Sequence, residues 1–480
     1  MLNIRYLNGP GGVSVALLEM NNPPVNGMSH GLRKALVGAF DRVEAESGVS
    51  AIALIGAGKL FCGGADVREF GTAASASSPD LRELLARIFA CRKPTIAVLN
   101  GAAMGGGLEL AMACNYRLAL GGAQLALPEV KLGLIPGAWG TQLLPRLVGV
   151  RRALEMVTRG EPISAATAQD WGLVDAVASA DLEATLLDFV AAHSKADAHP
   201  HPDARRRMAA DAGELHAAWL DQARVQLARD FPGCPAPLAG AEAVGLAVTL
   251  PFEQAVQRER AHFVRLMQSP ESSALRYIFF AERECARIPG VRLPSATPPA
   301  GIPVAAQAPH FAEIPGAIPV DAGGTAVRIE TLEKGRQGPS EWLICRLCGP
   351  VDAGRSVGLT LFRRNGVASC AEVSCPSGAD SAHLAAAFAI ARSLSPAVVA
   401  TRAADDLRSP LQGLLASSLE TAEGAAAFSF AADAAVASGG LFRATDADVF
   451  AVHVLGYPRH HGGPLYQRAL ARSAQQETRP

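Results

Sequence analysis

The segment Asn100-Gly101-Ala102-Ala103-Met104-Gly105-Gly106-Gly107-Leu108-Glu109-Leu110-Ala111-Met112-Ala113-Cys114 follows an apolar run that ends at Leu99. A strand that stops at Leu99, three consecutive glycines and an apolar run with helical character describe a strand-turn-helix unit. The glycines let the main chain pass close to another group, and the first N–H groups of the helix point outward without intrahelical partners. Such a turn binds an oxyanion or a phosphate. The same glycines also serve tight helix packing, and both readings stand at this level.

Glu109 sharpens the first reading, because it sits among Leu108, Leu110, Ala111 and Met112, where the helix is expected to be buried. A carboxylate there must be paired, protonated or catalytic, since an isolated buried charge costs several kcal/mol, roughly. Ala126-Leu127-Pro128-Glu129-Val130 repeats the pattern of one glutamate among apolar neighbours. Two carboxyl groups in apolar settings can hold and activate a water between them. The alternative for Glu129 is a surface ion pair with Lys131 or Arg146. Upstream, Leu60-Phe61-Cys62-Gly63-Gly64-Ala65-Asp66-Val67-Arg68-Glu69-Phe70 is a second loop leading into a helix. One N–H from each turn, converging on a carbonyl oxygen, makes an oxyanion hole.

Around these turns, Val13–Leu18, Ala51–Ile55 and Thr95–Leu99 read as short buried strands alternating with helical patterns, which predicts an α/β domain. Polar, Pro- and His-containing residues from Ala196 to Arg207 mark a break, and Phe252 to Arg287 reads as helix interrupted by Pro270. Prolines at 289, 294, 298, 299, 303, 309, 315 and 319 predict an extended linker. Glu341–Leu347 and Val357–Leu361 read as strands, Asp380–Leu394 as an Ala-rich helix and Val398–Thr401 as a strand, with helices to the end.

The chain has 480 residues, and 44 Lys and Arg nearly cancel 45 Asp and Glu. That balance gives no global positive field for nucleic acid or an anionic membrane, so an anionic ligand must be held by local groups. No apolar run reaches the ~20 residues of a membrane span, and the first residues lack a secretory pattern. Nine cysteines without a signal predict reduced thiols in a cytoplasmic protein. Cys345-x-x-Cys348 and Cys370-x4-Cys375 resemble a zinc-ribbon spacing, but small buried core residues rather than zinc ligands are the expectation.

Phe61-Cys62-Gly63-Gly64-Ala65-Asp66, Met104-Gly105-Gly106-Gly107-Leu108-Glu109-Leu110, Leu127-Pro128-Glu129-Val130 and Leu132-Gly133-Leu134-Ile135-Pro136-Gly137 occur in the order and spacing of the crotonase, or enoyl-CoA hydratase/isomerase, family. Asn22-Pro23-Pro24-Val25-Asn26, Thr141-Gln142-Leu143-Leu144-Pro145-Arg146 and the run from Ala274 to Arg283 resemble its multifunctional β-oxidation branch, in which a hydratase/isomerase is joined to an L-3-hydroxyacyl-CoA dehydrogenase. The resemblance covers residues 1 to about 290.

It implies a crotonase-type ββα superhelix over 1–195, a helical linker over 196–290 that covers the active site, a Pro-rich linker over 291–325, then a dehydrogenase remnant. That remnant comprises a partial α/β unit from the NAD-binding domain (326–404) and a helical C-terminal domain (405–480). It further implies that the Ala65 and Gly106 amides hold the thioester oxygen of an acyl-CoA substrate. Glu109 and Glu129 then orient and deprotonate the water that adds at C3, and Glu129 delivers a proton to C2 or, alone, shuttles it between C2 and C4. Gly137 donates its N–H to the water, and Val25, Asp66, Val67, Gly105, Pro128 and Trp139 line the substrate. Trp139 stands where relatives often carry Gly or Arg.

The second half departs from that branch. No G-x-G-x-x-G turn for NAD occurs between Gly290 and Ser356. In the segment that carries a catalytic His and, twelve residues on, its partner Glu, Thr360 occupies the His position and Glu372 is kept. Thr cannot take up a proton near neutral pH. Asp446–Phe450 and Gly456–Pro464 resemble the dehydrogenase's helical domain, with His460 and His461 read as solvated. The expectation is an enoyl-CoA hydratase with Δ3-Δ2-enoyl-CoA isomerase activity and no dehydrogenase, and a monomer because the Phe252–Arg287 helix is present. A non-catalytic acyl-CoA-binding or assembly protein and a bifunctional enzyme with a divergent NAD site are the other readings.

Overall fold

The computed structural model describes residues 1–69, 72–178, 181–193, 213–293, 302–305, 317–320, 328–337, 340–348, 357–365, 367–375, 379, 381–402, 419 and 421–477. The break expected at 196–207 lies outside the described residues. The chain divides into two units, Met1–Ser272 and Ser273–Pro480.

In the first unit, β1 (Leu2–Asn8) and β2 (Ser14–Met20) form an antiparallel hairpin on the edge of a six-stranded sheet. From β2 onward the sheet is parallel, through β3 (Ala51–Gly56), β4 (Thr95–Leu99), β6 (Tyr116–Leu120) and β9 (Ala176–Ala178). β4 is buried along its whole length. Alternation along the strands divides the core: Leu54, Ala97 and Leu99 face one layer, and Ala53, Ile96 and Val98 face the other. A small second sheet joins β5 (Ala103–Met104), β7 (Gln124–Ala126) and β8 (Ile163–Ser164).

Helices connect the strands with legible start signals. In α1 (His30–Ala45) the Ser29 hydroxyl accepts from the Leu32 amide, and Leu32, Leu36, Phe40 and Val43 make the buried stripe. α2 (Leu81–Phe89) opens with an Asp80/Glu83 capping box. At the C-terminal ends of β3 and β4, the Asn100 side chain accepts from Gly56 N at 3.2 Å and donates to Gly56 O at 2.8 Å. Those strand ends launch the two glycine turns. α3 (Gly106–Ala113), α4 (Gly140–Val148) and α5 (Val150–Arg159) complete this region, and α6 (Leu182–His193) covers the other face of the sheet. α7 (Gly213–Asp230), α8 (Pro235–Thr249) and α9 (Phe252–Met267) follow. This is the crotonase-type ββα arrangement.

The helical stretch expected from Phe252 to Arg287, with Pro270 between its halves, is two helices, and Pro270 opens the second, α10 (Pro270–Cys285). The side chains of Ile278, Ala281 and Cys285 enter the core of the second unit, so the last helix of the expected active-site cover belongs there.

The second unit carries a seven-stranded sheet in the order β11-β10-β12-β13-β14-β15-β16. The interval expected to be only a Pro-rich linker contributes β10 (Ile302–Ala305) and β11 (Ala317–Val320), paired in parallel. Proline fixes an extended-compatible φ and pushes the residue before it into the extended region, so short strands survive there. β12 (Arg328–Gln337), β13 (Ser340–Cys348), β14 (Val357–Arg364) and β15 (Val367–Ser374) form an antiparallel meander. Connections as short as those after β12 and β14 permit hairpins and forbid the parallel crossovers of a dinucleotide-binding half. Among the described residues of this unit, only β15, α11 (Ser381–Leu394) and β16 (Val398–Thr401) make a βαβ unit. α12 (Ala422–Ala437), α13 (Ala444–Phe450) and α14 (Pro464–Glu477) supply the helical end.

Candidate active site

The three-glycine turn is pinned on both sides. Met104 N donates to Cys62 O and Gly105 N to Ala126 O, each at 2.9 Å, so the turn sits between the Cys62–Ala65 loop and the exit of β7. Gly105 has φ 53 and ψ −126, a backbone state that disfavours any side chain. A Cβ on Gly106 would lie 3.1 Å from the Ala65 nitrogen. The amides of Ala65 and Gly106 are therefore neighbours, and neither donates to a protein group among the described residues. Both residues line a cavity of about 410 Å³, the size of a small-molecule site.

Glu109, on α3, is 2% exposed, and its Oε1 accepts from Ala138 N at 2.8 Å and Gly140 N at 3.0 Å. Burial pushes its carboxyl up to about 7, and the two amides hold it from rising further. Glu129 sits on a short 3₁₀ turn, Pro128–Leu132. The residue as a whole is half-buried, but its Oε2 is enclosed and has no hydrogen-bond partner among the described residues. Burial, and then the charge of Glu109, push this carboxyl well above the ordinary range. The ion-pair alternative for Glu129 is set aside: Lys131 bonds Glu161 at 3.0 Å, and Arg146 donates to the carbonyls of Gln142 and Ala247. Two coupled carboxyls with different hydrogen bonding sort into one base and one acid.

α9 lies across the cavity. Arg260, Phe263, Val264 and Met267 line it, and a Cβ on Gly137 would collide with the Phe263 ring. From the same helix the fully buried Glu259 accepts from Trp139 N at 2.7 Å, Thr141 N at 2.9 Å and Thr141 Oγ1 at 2.5 Å. The sequence reading missed Glu259. It lies on the buried stripe with Ala255 and Leu266, the same signal that singled out Glu109.

Of the residues expected at the site, Ala65, Asp66, Gly105, Gly106, Glu109, Pro128, Glu129 and Gly137 line the cavity. Asp66 is held below the usual carboxylate range by Arg68, which bonds it at 2.7 Å. Val25 and Trp139 are not among the lining residues. Val25 is 45% exposed and contributes its carbonyl to Gly63 N. Trp139 has φ 72, and its indole packs edge-on to Phe89 and Phe252, with ring centroids 5.8 and 5.6 Å away. That left-handed turn sends the ring into an aromatic cluster and leaves only its neighbours' amides near Glu109. The Val67 side chain lies outside the described residues. The basic groups at the cavity, Arg33, Arg82 and Arg260, were not anticipated.

In the second unit, Thr360 stands directly opposite Glu372 in the β14–β15 register, and both are buried. Glu372 Oε1 accepts from Thr401 Oγ1 at 2.8 Å, so a threonine hydroxyl meets this carboxylate and a second threonine holds the histidine position across from it. Cys370 and Cys375 are buried, the side chains of Cys345 and Cys348 lie outside the described residues, and no three metal-binding side chains converge among the described ones. His460 and His461 sit on a short 3₁₀ turn, half-buried and exposed respectively, with their rings 4.4 Å apart. No described helix is long and apolar enough to cross a membrane.

Residues 11–205 match the family model described as enoyl-CoA hydratase/isomerase. A protein of Bacillus subtilis (strain 168) named "Probable enoyl-CoA hydratase" is 45% identical over 174 residues, which are 35% of this chain and 67% of that protein. The chain belongs to the enoyl-CoA hydratase/isomerase family. The "Peroxisomal bifunctional enzyme" of Danio rerio is 40% identical over 271 residues, 56% of this chain. The match spans only 37% of that relative's length. Among solved structures, an enoyl-CoA hydratase from Mycobacterium avium subsp. paratuberculosis K-10 aligns over 57% of this chain and 96% of its own, at 24% identity and a TM-score of 0.42. Membership in the enoyl-CoA hydratase/isomerase family rests on the first unit, which holds every cavity-lining residue.

Proposed function

We propose that the protein is an enoyl-CoA hydratase that adds water to a trans-2-enoyl-CoA to give the 3-hydroxyacyl-CoA, with Δ3-Δ2-enoyl-CoA isomerase activity. The observation that carries this reading is the pairing of two unlike glutamates with two unused amides around one cavity. The substrate's thioester oxygen lies between the Ala65 and Gly106 amides, which hold the negative charge that develops there. Ionised Glu109, fixed by Ala138 and Gly140, takes a proton from water as the oxygen bonds to C3. Electrons move through the double bond to the thioester oxygen and return as protonated Glu129 gives its proton to C2. Transfer of a proton from Glu109 to Glu129 restores the starting state. In isomerisation Glu129 alone takes a proton from C2 and returns it at C4. As a positioned acid or base, each carboxyl supplies roughly 10²–10⁴-fold.

The chemistry needs no metal or redox cofactor, because the thioester is the electron sink. The second unit is read as a dehydrogenase remnant without activity, since Thr360 holds the histidine position opposite Glu372 and a threonine does not take up a proton as imidazole does. We also propose a monomer, and a cytoplasmic location against the word "peroxisomal" in the Danio rerio relative's name; sedimentation and cell fractionation decide these.

Turnover of enoyl-CoA substrates of short, medium and long chain, with and without NAD, tests the reading. Hydration without NADH formation supports it. Binding of acyl-CoA with no turnover on any chain length overturns it in favour of a non-catalytic binding protein.

A further inference from the structure

The turn that enters α4 presents four successive amides, Ala138 to Thr141, as the unpaired donors of a helix N-terminus. They are divided alternately between two buried carboxylates. Ala138 and Gly140 donate to Glu109, and Trp139 and Thr141 donate to Glu259. Trp139 makes this division possible, because its left-handed φ of 72 turns its own amide away from those on either side. A Cβ on Gly140 would lie 2.7 Å from Oε1 of Glu109, so the turn has no room to slide. Glu259 is 0% exposed, and its second oxygen also meets the Thr141 hydroxyl, itself bonded by Gln142 Nε2 at 2.8 Å. A hydrocarbon side chain would fill this space without the cost of burying a carboxyl.

We propose that Glu259 is a positioning residue for the hydration reaction: by gripping Trp139 and Thr141 it fixes the Ala138 and Gly140 amides, and these fix Glu109 against the substrate water. The proposal rests on the hydratase reading above. Glu259 reaches the water only through the turn, so its loss moves kcat and leaves substrate binding in place.

Its charge gives a second readout. The groups around it are Glu109 on α3, Glu129 on the 3₁₀ turn and Arg260 beside it on α9, with Asp80 and Arg82 facing Arg260. Burial and then Glu109 push Glu259 up to about 8, and its ionised form helps to hold the proton on Glu129. Removing that charge lets Glu129 ionise at lower pH, which brings the alkaline limb of the rate profile down.

The experiment is steady-state hydration of crotonyl-CoA from pH 5.5 to 9.5 by the full chain and the variants Glu259→Gln, Glu259→Asp and Thr141→Val. For Glu259→Gln we expect kcat to fall about 100-fold, with KM within about threefold, as displacement of a positioned group by about 1 Å predicts. Its alkaline limb moves down by about half a pH unit, and Glu259→Asp recovers at least tenfold of the lost kcat and the wild-type limb. A Glu259→Gln enzyme with wild-type kcat and limb overturns the proposal while the hydratase reading stands. If that variant does not fold, Thr141→Val decides: a kcat lowered about tenfold at constant KM supports the proposal, and an unchanged kcat overturns it. A wild-type chain that turns over no enoyl-CoA overturns the hydratase reading, and this proposal with it.

Discussion

A side-chain carbon on Gly105 would lie 2.8 Å from Oε1 of Glu129. The glycine is therefore required twice, by its positive φ and by the carboxylate lying against its Cα. Gly105→Ala is expected to displace Glu129, lower kcat for hydration about 100-fold and cost about 1–3 kcal/mol of stability. Steady-state kinetics and urea unfolding check both; an alanine enzyme with wild-type kcat would sink the idea that Glu129 works from this position.

The two glutamates are expected to separate by reaction. Glu129→Gln removes the group common to both activities and lowers hydration and isomerisation alike, by roughly 10²–10⁴-fold. Glu109→Gln lowers hydration comparably but spares isomerisation of a 3-enoyl-CoA, which consumes no water. Parallel assays on crotonyl-CoA and a 3-enoyl-CoA read the split, and equal losses of both activities in Glu109→Gln would refute it.

Stability should fall as pH rises above the usual carboxylate range. Glu109 and Glu259 are raised to about 7 and about 8, and Glu129 is raised well above its ordinary value. Groups raised in the fold stabilise it below their unfolded value and lose that contribution as pH climbs through the folded one. The slope is about 1.4 kcal/mol per pH unit for each group still protonated only in the fold. Glu282 has the opposite sign: although burial opposes it, His453 and Arg459 hold it at about 2, so its contribution is lost below pH 4.5. Thermal unfolding should therefore give its highest Tm near pH 5, with a decline to pH 8 that Glu259→Gln flattens.

Phe263→Ala should open the cavity over Gly137. The ring's apolar contact is worth roughly 1.5–3 kcal/mol when fully buried, so KM is expected to rise about tenfold with kcat within about threefold. A fall in kcat at constant KM would contradict this placing of α9.

In the second unit, Asp448 accepts from Leu465 N, Tyr466 N and Tyr277 Oη at 2.9, 3.0 and 2.8 Å. Asp448→Ala removes the cap of α14 and strands the Tyr277 hydroxyl, at a cost of about 2–4 kcal/mol. Calorimetry should show that loss while crotonyl-CoA hydration at 25 °C is unchanged.

Hydrophobic patterning located the elements with little error wherever burial was two-sided: Thr95–Leu99 and Val398–Thr401 are strands with those bounds. It failed where proline composition suggested a bare linker, because the strands at Ile302–Ala305 and Ala317–Val320 are fixed by pairing with each other. Trp139 was assigned to the substrate by its position in the chain, but a positive φ sends its ring elsewhere. Glu259 was legible as a carboxylate on an apolar helical stripe, yet nothing local says which amides it meets 118 residues away.

Local chemistry written into the chain thus determined the glycine turns, the two acidic groups in apolar surroundings and the parallel sheet, because each depends on near neighbours and on alternation along a strand. Only the folded arrangement decided which oxygen receives which amide, which carboxyl keeps its proton and which side chains close the cavity. Those outcomes depend on burial and on distances between residues far apart in sequence, which no short window contains.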